Sequence, residues 1–457
     1  MRVRKLNAAA IRPGARYVLY WAQMNRRVES NHALAHAAAL ANELELPLLF
    51  YEGLTCTYPN ANDRLHTFLL EGVPETERRA GAKGIGYVFY LRKRRRDAND
   101  VLYRLAEHAA AVVTDDYPAF ITADHNRRVP DRIGVAYFAV DASCIVPMSS
   151  LDKREYGAYT IRPKIRKVLE QHLAPLPPIR LKQPWKAPKP RFHTQVTPGN
   201  IGDLVAASEI DHTAGPSRTV RGGRTAAEKQ LRHFLRRSLR RYAGEKNEPS
   251  ARATSGLSPY LHFGHISSLE VALAVRKHAA KHKMIADEFL EELIVRRELA
   301  FNFARFCARP SLADLPNWAR ANLKKHARDR RTYRYSYDQF EHAQTHDNLW
   351  NAAQKQMLVE GHIHGYYRMY WGKKIIEWSA GFQEAFEVMV RIHDRYALDG
   401  RDPNTYANIL WCFGLHDRPW PERPIFGTMR YMSLAGMARK TRIEDYIRQI
   451  GRLERRP

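Results

Sequence analysis

From Arg16 to about Pro147 the chain alternates between apolar, β-rich runs and stretches of helical character, and from Ala226 onward the alternation stops. The runs are YVLYWA, PLLFYEGL, YVFYL, AAVVTDD and VAYFAVDASCIVP; SNHALAHAAALANEL, between the first two, reads as a helix capped by Ser30 or Asn31. Strands and helices in this order predict a doubly wound parallel sheet, whose ligands would sit beyond the strand C-termini. No GxGxxG follows the first strand, and the glycines of GAKGIG precede a strand instead. The first part is therefore Rossmann-like without a dinucleotide fingerprint.

Residues 151–173 read as a helical exit from this α/β domain, residues 1–173. Eight prolines then fall between Ala174 and Thr225, in stretches such as PLPP and KAPKPR, which predicts a connector over 174–225 draped on the surface. Residues 226–457 read as an all-helical domain. Leu231, Leu235, Leu239 and Tyr242 mark one face of a basic helix, and helical patterns follow at 267–281, 285–307, 348–360, 366–379 and 382–397.

At 457 residues the chain exceeds a single core. Its net charge of +26 points to a polyanionic partner, nucleic acid first, although a run such as Arg92 to Arg96 reads as a merely solvated face. No apolar run is long enough to span a bilayer, and the basic start precedes a short, interrupted apolar stretch unlike a signal peptide. Cys56, Cys144, Cys307 and Cys412 lack paired spacing. That predicts a reducing cytoplasm with neither disulfide frame nor zinc site, and His362 and His364 lack the further ligands a metal would need.

Chemistry concentrates in the helical part. Trp371 and Trp378 lie two helical turns apart on one face, and Trp350 precedes them on another helix. Indoles at such spacing are ordinarily core; the density of Arg368, Met369 and Tyr370 beside them argues for more. Thr254, Ser255 and Ser258, around Gly256 and Leu257 and ahead of a Pro-initiated helix, suit phosphate or ribityl binding through caps and backbone N–H groups, or an ordinary cap. Glu298, behind Arg296 and Arg297 on an apolar helix, directs a carboxylate into a pocket or joins surface ion pairs. Asp399 and Asp402 flank a glycine turn and could take a sugar, a metal or a cation such as Arg368, or form an Asx turn. In LWCFGLHDRPWPERPIFGTMRYM, aromatics interleaved with Arg418, Arg423 and Arg430 supply stacking surfaces and phosphate partners together.

These segments, in order, resemble the photolyase/cryptochrome family, specifically its class II cyclobutane pyrimidine dimer photolyases. The resemblance covers nearly the whole chain and rests on YVLYWAQMNRRVESNHAL, EYGAYTIRPKI, SGLSPYLHFGHIS, FLEELIVRREL, THDNLWNAAQKQM, HGYYRMYWGKKIIEW, LDGRDPN and HDRPW with the FGTMRYMS that follows it. It implies FAD folded into a U within the helical domain, and a deazaflavin or other antenna pigment in the α/β domain. It further implies that Tyr242 and the Thr254–Ser258 group hold ribityl and phosphates, and that Arg368 and Asp399, with Asp402 nearby, flank the isoalloxazine. Trp350, Trp371 and Trp378 match a photoreducing relay with Trp371 nearest the ring. Glu298 matches the carboxylate that hydrogen-bonds the lesion, and Met369 and Trp411 match residues packing on the flipped dimer. Asp417, Trp420 and Arg430, with Arg423, match the hairpin that fills the hole in UV-damaged DNA.

Departures from the class pattern suggest a divergent bacterial-type branch. His393 stands where an asparagine usually faces flavin N5; an imidazole there donates a hydrogen bond as the amide does or supplies a proton, unless a one-turn shift puts it on the surface. Phe301 replaces an acidic residue, His32 a tryptophan, and the hairpin is one residue short near Gly414. The implied function is light-driven repair of cyclobutane dimers by a cytoplasmic, DNA-binding monomer that uses FAD and no metal. The alternatives are a cryptochrome-like photoreceptor, favoured by His393, and repair of the (6-4) photoproduct, which calls for a histidine such as His262 or His364 at the lesion.

Overall fold

The structure is a computed structural model that describes residues 2–307 and 309–455. Its one sheet contains β1 (Val3–Lys5), β2 (Tyr17–Ala22), β3 (Leu48–Thr55), β4 (Gly86–Arg92), β5 (Ala109–Asp115) and β6 (Ala136–Val140), in the order β1-β6-β5-β2-β3-β4. Every pairing is parallel except β1 on β6. β2 and β5 are buried at each position, which is why their sequences run apolar without alternating. The antiparallel edge strand β1 escapes sequence reading because VRK is three residues long and exposed throughout.

Asn31, not Ser30, caps the first helix, His32–Glu43: its side chain accepts from Ala33 N at 3.0 Å and Leu34 N at 3.1 Å. The exit helix is shorter than expected, Ala158–His172. The proline-rich segment lies along β4, the far edge of the sheet. Trp185 packs on Tyr17, Thr194 N donates to Phe89 O at 2.8 Å, and Leu91 N donates to the Thr194 hydroxyl at 3.0 Å. It thereby covers an edge whose unpaired groups would otherwise template association. It also holds a helix of its own, Ile201–Ala206.

Helix Arg224–His233 runs on through a wide π turn, Phe234–Ser238, and a tight turn, Leu239–Arg241, into Tyr242–Glu245. The wide turn rotates the helix, so fully buried Phe234 takes the core position expected of Leu235, which is half-buried. A second wide turn, Glu291–Arg296, precedes helix Arg297–Phe306. Helices Ser268–Lys281, Asn348–Glu360, Gly365–Trp378 and Phe382–Tyr396 follow the expected pattern. Asn317–Lys325, Pro403–Cys412 and Ile443–Glu454 are further helices that the sequence reading left unassigned.

The sheet and the helices share continuous apolar packing, from Phe50 and Phe68 to Phe263 and Leu293. Polar clasps fix the join. Asp115, at the end of β5, accepts the amides of Gln23, Met24 and Asn25 at 2.8–3.0 Å and shapes the loop after β2. Arg27 in that loop donates to Ala142 O at 2.8 Å and Gly264 O at 3.1 Å. Gly264 is required there: its φ is +69° and Met24 O occupies the space a Cβ would need. Arg64 reaches from the α/β side to Met357 O at 2.8 Å, Tyr396 O at 3.0 Å and Leu358 O, satisfying carbonyls at the ends of two helices.

Candidate active site

Helix Gly365–Trp378 begins at His364, whose Nδ1 accepts from Tyr366 N at 3.2 Å, so this member of the HxH pair serves as an N-cap. One turn in, Arg368 NH2 meets Asp399 Oδ2 at 3.1 Å and Ile363 O at 3.2 Å. Burial alone would raise the Asp399 carboxyl; the Arg368 guanidinium, with a hydrogen bond from the Ser258 hydroxyl, holds it well below the usual carboxylate range. His393 is 1% exposed, which excludes a surface position, and burial with repulsion from Arg368 pushes it down to about 3. At neutral pH it is an uncharged imidazole, a hydrogen-bonding group rather than a proton source.

Arg368 Nε, His393 Nδ1 and His364 Nε2 are buried without a protein partner. Polar atoms so buried are nearly always hydrogen-bonded, so three together around one ion pair fit a polar ligand of the flavin type. Ser258 opens the short helix Ser258–His262 beside this pair, and Gly256 takes a φ of +63° in the turn before it. Thr254 and Ser255 are half-buried and Leu257 is buried. Gln230, which the sequence did not single out, donates to Ser255 O at 2.6 Å and anchors this turn. Tyr242 lies edge-on to Phe234 and Phe289, its hydroxyl raised by burial.

Asp402 is engaged by the protein. It caps helix Pro403–Cys412 through Asn404 N at 2.9 Å, and its Oδ2 meets Tyr117 OH at 2.7 Å and His262 Nδ1 at 3.1 Å. Tyr117 comes from the loop after β5, so this carboxylate ties the sheet to the turn carrying Asp399.

The three indoles form one run of ring contacts, Trp371 stacked on Trp350 and Trp378 edge-on to it, whose spatial order differs from their order in the chain. Trp350 lies between the others, 6.4 Å from Trp371 with rings nearly parallel and 6.1 Å from Trp378. Trp350 Nε1 donates to Trp371 O at 3.0 Å, and Trp371 Nε1 to Gln354 Oε1 at 2.9 Å. All three are 2% exposed or less.

Glu298 is 4% exposed and accepts Ile145 N at 2.6 Å and Val146 N at 3.2 Å through Oε1. Burial raises its carboxyl to about 8 against the pull of those amides and of Arg297. Its surface-ion-pair alternative is therefore excluded. Oε2 has only a 3.4 Å contact, from Val146 N, and is the oxygen free to carry a proton. Phe301, one turn on, is fully buried edge-on to Tyr117.

Met369 and Trp411 are each half-buried. Beyond Trp411 the chain forms a hairpin: Trp420 N donates to Thr428 O at 2.8 Å, and Arg423 N to Gly427 O at 2.9 Å. The Arg430 and Arg418 guanidiniums lie 5.0 and 5.3 Å from the centre of the Trp420 ring, Arg423 lies over Tyr431, and Asp417 Oδ1 accepts Trp420 Nε1 at 3.4 Å. Asn322, another residue the sequence did not flag, donates to Phe426 O at 2.9 Å and accepts Thr428 N at 2.7 Å.

A family model described as DNA photolyase matches residues 18–182. The chain is 40% identical over 453 residues to a deoxyribodipyrimidine photo-lyase of Methanothermobacter thermautotrophicus, covering 98% of both chains. It is 37% identical to one of Oryza sativa, covering 99% of this chain and 90% of that one. A Synechocystis cryptochrome shares the fold, with a TM-score of 0.72 at 14% identity over 94% of this chain and 88% of that one. This chain belongs to the DNA photolyase family.

Proposed function

We propose that the protein is a deoxyribodipyrimidine photo-lyase of class II type, which binds FAD and uses light to split cyclobutane pyrimidine dimers in UV-damaged DNA. The observation that carries the reading is the Arg368–Asp399–His393 cluster, with its buried unpartnered polar atoms, in which Arg368 comes from the helix that also carries Trp371 and Trp378 and His393 from the helix after it. Full-length relatives of that name support it. FAD, bound reduced and excited by blue light, supplies the electron that splits the dimer and then recovers it.

The protein's part is position and field. Arg368 offers Nε and a positive charge to the flavin, and Asp399 tempers that charge. His393, uncharged, supplies the hydrogen bond an amide would, which favours repair over the photoreceptor reading it first suggested. Thr254, Ser255 and Ser258, with the backbone of Gly256 and Leu257 and with Tyr242, hold the phosphates and ribityl; Asp402 holds the turn behind them. Glu298, largely protonated at neutral pH, donates from Oε2 to a pyrimidine carbonyl. Met369 and Trp411 pack on the flipped dimer, which leaves the stack readily because its own stacking is already weakened. Asp417, Trp420, Arg423 and Arg430 fill the duplex behind it and clamp phosphates without reading sequence. Trp371, Trp350 and Trp378 carry electrons inward to reduce the flavin. The α/β part, residues 1–173, would take the antenna pigment, a deazaflavin or another, and residues 226–457 the FAD. Burial holds His262 and His364 uncharged, and His262 is bound to Asp402 and Tyr117, which disfavours (6-4) repair.

The test is repair of a cyclobutane thymine dimer in a short duplex by the reduced, FAD-loaded protein. Intact thymines should appear under blue light and not in darkness; no recovery from loaded protein would replace repair by the photoreceptor reading.

A further inference from the structure

The turn of the hairpin, residues 423–427, is closed by Arg423 N donating to Gly427 O and is held from behind by one imidazole. Gly427, at a φ of +50°, brings its backbone so close to the helix Asn317–Lys325 that a Cβ would overlap Asn322 Oδ1 and the ring of His326, the residue that ends this helix. Ile425 takes a φ of +66°, costly for a β-branched side chain and kept only where neighbours impose it. Its amide donates to Asp329 Oδ2 at 2.7 Å. That same oxygen faces His326 Nδ1 at 2.8 Å, and His326 Nε2 faces Glu422 Oε1 at 3.0 Å. The ring, 8% exposed, thus joins the loop behind the hairpin to the residue that leads into its turn.

Both ring nitrogens therefore meet carboxylate oxygens. An uncharged imidazole has one N–H and one lone pair, so it satisfies one such oxygen and repels the other; an imidazolium donates to both. Neither carboxyl brings a proton of its own. The Ile425 amide holds Asp329 below its ordinary range, and Lys325, bonded to the same Glu422 oxygen at 2.5 Å, does so for Glu422. Arg331 adds its charge to the clasp through Asp329. Resting on the DNA-binding role proposed for the hairpin, we infer that His326 is its positioning residue: as an imidazolium it ties Asp329 to Glu422, and loss of its proton loosens the turn and the hold on DNA. The imidazolium gains these two partners only in the fold, so the stabilisation is present in acid and lost as pH rises. Glu422, exposed and still paired with Lys325, is the arm that lets go, while Asp329 keeps the remaining N–H.

The experiment follows the full, FAD-loaded protein at constant ionic strength from about pH 5.5 to about pH 8, the span in which imidazoles titrate. Amide hydrogen exchange within residues 418–428, corrected for its intrinsic pH dependence, reports the turn without DNA; fluorescence anisotropy reports affinity for a dimer-containing duplex. In the wild type, protection should fall with rising pH, and affinity should weaken with it by about tenfold, the scale of one hydrogen bond to a charged group. His326→Gln should be loose and flat across the range. Glu422→Gln should be protected and flat, because its amide N–H donates to the nitrogen that the uncharged ring leaves bare; a histidine that merely fills space predicts no such rescue. Wild-type protection that ignores pH, or a loss of protection with pH that survives in Glu422→Gln, overturns the inference alone. Protection that falls while affinity holds overturns it together with the DNA-binding role of the hairpin. If His326→Gln does not fold, the wild type and Glu422→Gln, a change at an exposed side chain, still decide.

Discussion

Replacing Glu298 by glutamine isolates what this carboxyl contributes. In the fold its pKa rises from an ordinary 4.5 to about 8, chiefly because burial penalises the charge. A raised acid pKa means that the fold prefers the protonated form: the group's contribution is whole below its unfolded value and is lost as pH rises toward and through about 8. At ~1.4 kcal/mol per pH unit of displaced ionisation, linkage removes about 3 kcal/mol of stability between about pH 6 and about pH 9. Glutamine keeps an oxygen to accept Ile145 N and Val146 N and puts an N–H donor where the protonated Oε2 stood, with nothing left to titrate. Denaturant unfolding of both proteins across that range gives the answer by difference, since every other group titrates in common. Wild type should fall away from Glu298→Gln as pH rises. Preference for a dimer-containing duplex over an undamaged one should fall in parallel above about pH 8 in the wild type alone. Parallel stability profiles, or a wild type that gains on the variant with rising pH, would refute the placement of a neutral carboxyl in this pocket.

Other outcomes follow from the same geometry. Trp371→Phe should abolish photoreduction while repair by chemically reduced protein persists; joint loss in a folded variant would mean that Trp371 acts through packing. His393 is uncharged across the working range, so a photoreduction profile with an apparent pKa near neutrality that vanishes in His393→Asn would contradict its burial. Asn322→Ala removes three hydrogen bonds to the hairpin, costing about 1–3 kcal/mol locally; proteolysis within residues 418–428 should quicken and duplex affinity drop, and unchanged cleavage would count against the anchor. With a net charge of +26, DNA affinity should fall steeply with added salt through counterion release, and a flat response would sink the phosphate clamp.

What the sequence made legible was local. Uninterrupted apolar runs marked β2 and β5 because both faces of each are covered, and Asn31 capped its helix as an asparagine there should. What stayed hidden depended on distant partners. β1 exists only through β6, more than a hundred residues on. Leu235 packs on the core only from its edge, at a wide turn that changes the helical period, and no pattern of apolar residues announces such a turn. Spacing put Trp371 and Trp378 on one face, but that Trp350 lies between them follows from two helices packing side by side. The identity of Glu298 was plain, whereas its state was not: its amide donors lie in a loop some 150 residues away, on the sheet side of the molecule. His262 and Asp402 likewise acquire their meaning from Tyr117.

The reach of Arg64 bears on how such chains can recombine. Its guanidinium ends on carbonyls of Met357, Leu358 and Tyr396, the last turns of the helix carrying Trp350 and of the helix carrying His393. A sheet half grafted from a distant relative would leave those carbonyls buried and unmet unless it brought an arginine to the same spot. The two halves are therefore not interchangeable cassettes: exchange at the proline-rich junction succeeds only between parents that already agree on this handshake, and so the antenna half is inherited with the helices it holds shut.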